Sequence, residues 1–158
     1  MTSRTAPLSP ERLIGVGFRG WLAGYQYQDV SCWEYVWNAY ATTLGPKHAK
    51  SAVAELSGWL RQVNDSACRR IETYPTGCAG FCQDECIAIS VIAACQNAYC
   101  PALRACAFAL VGPSNIERML AEAQDFADRL RAMDQCLSPN VICNVAAVAD
   151  RSSTPPPN

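Results

Sequence analysis

The chain has a single histidine, His48, and little charge of either sign: Asp, Glu, Lys and Arg make up 17% of its 158 residues. Thirteen basic residues face fourteen acidic ones, for a net charge of −1. That balance provides no electrostatic footprint for nucleic acid or an anionic membrane. No patch of Arg and Lys interleaved with aromatics supplies one locally. Long apolar runs are missing as well. The most apolar window, Ile87 to Val111, is interrupted by Gln96, Asn97, Pro101 and Arg104, whereas a membrane-spanning helix needs roughly 18 unbroken apolar residues. Residues 1–10 hold one arginine and lack the apolar centre of a secretory leader, so the expected location is the cytoplasm.

Other absences narrow the chemistry. Without a Glu-x-x-His motif the chain is no di-iron carboxylate bundle. The glycines near the N-terminus do not follow a strand pattern, so they form no phosphate-binding loop. His48 sits among lysines in Lys47-His48-Ala49-Lys50 and reads as an exposed residue. Nothing in the sequence brings it to a thiol as a catalytic base. An enzyme with a reactive cysteine therefore ranks behind the non-enzymatic readings.

What the chain does have is apolar residues, at half of its composition, and ten cysteines. Half apolar is enough to bury a core in one domain of this length. No long segment alternates with period two. Apolar residues recur instead at helical spacing. Ser9-Pro10-Glu11 has the form of a helix start, followed by Ile14, Phe18, Trp21, Leu22 and Tyr25 on one face. Gly15, Gly17, Gly20 and Gly24 weaken that helix by about 1 kcal/mol each relative to alanine, and they let a neighbouring helix come close. Ser31 and Glu34 match a capping box ahead of a face made by Val30, Trp33, Val36, Trp37, Tyr40 and Leu44, which Gly45-Pro46 ends. A third helix from Pro46 carries Ala49, Ala52, Val53, Leu56, Trp59, Leu60 and Val63, with Ala67, Cys68 and Ile71 extending the stripe. After the Tyr74–Gly77 turn a cysteine helix is expected over 78–98, then a short helix from Pro101 to the Gly112-Pro113 stop. Ser114 and Glu117 form another capping-box match before Met119, Ala123, Phe126, Leu130, Met133 and Leu137, spaced by fours and threes as bundle helices are. A last short helix follows Ser138-Pro139, with Val141, Val145 and Val148. The predicted fold is all-α, a single-domain helical bundle of four to five main helices plus short ones over residues 9–150. Flexible tails are expected at 1–8 and 151–158.

Six of the ten cysteines fall between Cys78 and Cys106. On a helix, Cys78, Cys82 and Cys86 share one face within an arc of roughly 80°, with Cys95 on the opposite side. Thiolates one turn apart can turn toward one soft ion. The run resembles a nine-residue fragment of the C-x3-C ladders in helical bundles that store Cu(I), although the other helices here lack the repeated cysteines of that family. Cys82, Cys86, Cys95, Cys100 and Cys106 could instead supply an iron–sulfur cluster, without the close spacing of ferredoxins. Cys78/Cys82 and Cys95/Cys100 come near the pairs of a structural zinc site. With no export signal, disulfides are not expected. Cys68 and Cys78 flank a turn as in paired-cysteine helical hairpins, which use two such motifs where this chain has one. Against all of these stands the plain reading in which Cys32, Cys82, Cys86, Cys136 and Cys143 are small core residues.

Asp84 and Glu85, between two cysteines, read as a solvated pair. Among the dense aromatics from Trp21 to Tyr40, Tyr27 and Tyr35 fall off the apolar faces and are expected at the surface, as contacts for a protein partner or a second copy of the chain. Two functional expectations result. The first is metal handling or redox sensing through Cys78, Cys82, Cys86, Cys95, Cys100 and Cys106, with copper(I), zinc or an iron–sulfur cluster. The alternative is a non-enzymatic interaction or regulatory module whose cysteines fill the core.

Overall fold

The computed structural model describes residues 7–142. Cys143, Val145, Val148 and the expected tail at 151–158 lie outside them, as do residues 1–6 of the N-terminal one. Within the described residues the fold is all-helical, with six α-helices and one 3-10 turn: α1 (Pro10–Tyr27), α2 (Val30–Leu44), α3 (Pro46–Ser66), α4 (Gln83–Gln96), α5 (Cys100–Val111), α6 (Glu117–Ala132) and the 3-10 turn Pro139–Val141. α5, at 12 residues, stands where the short helix from Pro101 is expected, and the other five have 14 to 21 residues.

α1 starts where its sequence signature places it. The Ser9 hydroxyl accepts from the Arg12 N–H, and Pro10 occupies the first turn. Leu8, just ahead, donates its N–H to Thr43 Oγ1 at 3.1 Å and packs against the core. The glycines of α1 do allow close approach. A β-carbon at Gly17 would collide with the Tyr40 hydroxyl, one at Gly20 with Val36, and one at Gly24 with the Trp33 indole. α2 therefore lies tight against α1, and Tyr40 reaches across to donate to the Leu13 carbonyl at 2.9 Å.

Two helix starts differ from expectation. α2 is capped by Asp29, whose Oδ1 accepts from both the N–H and the hydroxyl of Ser31. The carboxylate takes the capping role expected of the serine, and those hydrogen bonds hold its pKa below the usual range. α6 begins after Ile116, and Asn115 Oδ1 accepts from the Glu117 N–H. Ser114 is engaged elsewhere: its hydroxyl donates to the Ser66 carbonyl and lies 2.8 Å from Cys68 Sγ, tying the α5–α6 turn to the end of α3.

The apolar stripes of α3 and α6 lie inward as their spacing predicts. Ala49 through Val63 and Met119 through Leu130 are buried at every expected position, and Trp59 stacks on Phe126 with ring centroids 5.7 Å apart. Ala67, Cys68 and Ile71 follow α3 in irregular chain, where Ile71 is buried and Cys68 exposed. From Ile87 to Cys95, Ser90 apart, α4 is apolar on every side, as a buried helix is. It is buried from Ile87 to Gln96 and packs against α1, α5 and α6. All six helices contribute to one core.

Candidate functional site

The cysteine run does not form the helical stripe expected over 78–98. α4 begins at Gln83, so Cys78 lies outside it, Cys82 is its cap, and Cys86 belongs to its first turn. In the irregular chain ahead of α4, side chains of α1 take the backbone carbonyls. Arg19 of α1 donates to the carbonyls of Cys78 and Gly80 at 2.8 and 2.6 Å, and Arg12 donates to that of Ala79 at 2.9 Å. Both arginines also lie over the Phe81 ring, 5.2 and 5.6 Å from its centre. The loop is fastened to α1 from both sides.

Asp84 and Glu85, expected in solvent, are buried. Glu85 forms a doubly bonded ion pair with Arg19 at 2.6 and 3.1 Å and accepts from the Cys82 N–H at 2.9 Å. Asp84 takes both Arg69 nitrogens at 2.6 and 3.0 Å and the Glu72 N–H at 2.8 Å. These carboxylates are structural. They bind the irregular stretch 67–82 to α1 and α4.

Among the six thiols proposed as ligands, Cys78 and Cys100 are exposed, Cys82 and Cys86 half-buried, and Cys95 and Cys106 buried. No disulfide joins any two of the nine described cysteines. Cys82 and Cys78 lie near the Arg19 guanidinium. Cys82 also donates to the Glu72 carbonyl at 3.3 Å, and burial pushes its pKa up to about 11. Burial, with Asp128 and Cys100 nearby, pushes Cys95 to about 12. Both stay protonated at neutral pH, so an incoming metal must displace a proton from each. The ligand atoms that do converge in threes among the described residues, within 4.8 Å, are carboxylate oxygens of Glu55, Glu122 and Asp125. Arg129 already faces that group, 3.5 Å from Glu55. His48 is exposed in the first turn of α3.

The most distinctive surface lies on α1 and α2. Tyr27 and Tyr35 are exposed as expected, by 63% and 43%. Tyr27 accepts from Arg70 at 3.3 Å. Val30 and Trp37, expected on the packed face of α2, are exposed as well, by 60% and 37%; Val36 and Tyr40 are the buried residues of α2, with Trp33 and Leu44 half-buried beside them. Beside them a shallow cavity of about 420 Å³ is lined by Trp21, Trp33, Glu34, Trp37 and Asn38. Its walls are set by neighbours. The Trp33 indole donates to the Trp21 carbonyl at 3.1 Å, its ring stacks on Trp21 at 5.1 Å, and Tyr25 meets it edge-on at 5.3 Å. Reading the apolar positions as core missed this cavity. A signal for it was present: Trp33/Trp37 and Glu34/Asn38 are two pairs four apart, and such pairs stand side by side along a helix.

No family model matches the chain, and no curated protein or solved structure matches it.

Proposed function

We propose that this chain is a non-enzymatic interaction module that docks a partner protein on the aromatic face of α1 and α2. The observation that carries this reading is the tryptophan-lined cavity, flanked by exposed Trp37, Tyr35 and Val30. Leaving large aromatic side chains at the surface forgoes their burial, about 1.5–3 kcal/mol each. Tryptophan and tyrosine in a pre-formed recess are the residues that dominate docking energies. A photo-reactive residue placed at Asn38 tests the reading in the producing cells. A discrete adduct that disappears in a Trp37→Ser background supports it, and uniform absence of adducts removes it. An adduct of twice the chain's mass identifies the partner as a second copy.

A second reading, soft-metal handling or redox sensing, rests on two thiol neighbourhoods, Cys78 with Cys82 beside Arg19 and Cys95 with Cys100 at the α4–α5 turn. Elemental analysis and an absorption spectrum of anaerobically purified protein test it. Stoichiometric copper, zinc or iron supports it, and its loss on Cys95→Ala or Cys82→Ser assigns the ligands.

A further inference from the structure

We infer that the cavity on α1 and α2 seats an arginine side chain from a basic segment of the partner protein. This rests on the docking reading above and adds the chemistry of what docks. Three indoles line the recess together with one carboxylate, Glu34, and one amide, Asn38. From Gly20 to Pro46 the chain has no Lys, Arg or His, and its charges are Asp29 and Glu34. The recess therefore has an aromatic and acidic lining with no cation among its lining residues, and the cation placed on this face is Arg70 at the Tyr27 hydroxyl.

Indole offers a cation the strongest ring face among the side chains. A guanidinium group is planar and weakly hydrated, so it can stack on a ring while its fork of donors reaches a carboxylate and an amide oxygen. An aliphatic side chain would gain the ring contacts but leave Glu34 and Asn38 covered and unpartnered. An acidic one would meet Glu34 with like charge. The Trp33 ring is already held by its hydrogen bond to Trp21 and by Tyr25, so that wall is ordered before anything binds, which lowers the entropy lost on docking.

The test uses the full chain, labelled with nitrogen-15, and follows the indole N–H signals of its four tryptophans. Short acetylated peptides alternating arginine with glycine, glutamate with glycine, and leucine with serine are added in turn. The arginine peptide should move the Trp21, Trp33 and Trp37 signals and leave buried Trp59 in place. Affinity should fall about ten-fold in Trp37→Leu and roughly five-fold in Glu34→Gln, with the thermal midpoint unchanged in both. If the leucine or glutamate peptide moves the same three signals as strongly, the arginine assignment is overturned while the docking reading stands. If the arginine peptide binds without moving them, the cavity is not its seat and the inference fails. If no peptide moves them and no photo-adduct forms from position 38, both readings fall together.

Discussion

α2 and α4 are nearly equal in length, fifteen and fourteen residues, and their surroundings are opposite. α4 carries two carboxylates, two glutamines and three cysteines, counting its cap, yet it is the most enclosed helix of the fold. α2 carries two tryptophans and two tyrosines, yet it encloses only Val36 and Tyr40. Polarity of the side chains does not sort these helices. Partners do. α4 has Arg19 and Arg69 to neutralise its acids and three helices to cover its apolar faces, whereas α2 is packed on one side and has nothing among the described residues on the other.

The sharpest way to break the enclosed side is Glu85→Ala. It leaves Arg19 buried without its counter-charge, a change that costs about 3–5 kcal/mol. For a chain of this size that is a fall in thermal midpoint of about 10 °C or more. Arg19→Met combined with Glu85→Leu, which leaves neither charge buried alone, should cost less than Glu85→Ala, and scanning calorimetry on the two variants compares them directly. Next comes Gly17→Ala. The added methyl meets the Tyr40 hydroxyl, and overpacking of about 1–3 kcal/mol outweighs the gain of about 1 kcal/mol in helix propensity; a denaturant midpoint below wild type checks this.

Alkaline pH probes the enclosed side more gently. Cys82 and Cys95 are held up to about 11 and 12, whereas a thiol in the unfolded chain titrates near about 8.5. Below that pH both thiols are protonated in either state and their contribution is complete. Above it the unfolded chain releases protons that the fold retains, so stability declines as pH rises toward the folded values. The decline measured by urea titration between about pH 8 and 11 should be shallower in Cys95→Ala. The smallest effect belongs to the open side. Trp37→Ser should change stability by less than about 0.5 kcal/mol while abolishing the photo-adduct from position 38, so stability and docking separate there.

The sequence made some of this legible. Stripes in α3 and α6, the start of α1 and the closeness permitted by its glycines all follow from local spacing and local chemistry. The irregular chain at Cys78–Phe81 does not, because the side chain that holds its carbonyls is Arg19, some sixty residues earlier. The same distance hides the burial of Asp84 and Glu85, since a pair of acids between cysteines looks solvated until its arginines are found. Trp37 and Val30 were misplaced for a related reason. Periodicity shows that a face is apolar, but the number of neighbouring helices decides how much of it is covered.

The ion pair between Arg19 and Glu85 also bears on how the chain is made. Arg19 belongs to α1, which leaves the ribosome ahead of α4, and its counter-charge follows 66 residues later, several seconds at ordinary rates of synthesis. Until then the surface of α1 that will receive α4 holds a guanidinium group that cannot be closed in without a cost of several kcal/mol. A nascent chain ending near Ser66 would hold three complete helices and keep Arg19 in water. α1, α2 and α3 are thereby left with a surface that only α4 completes.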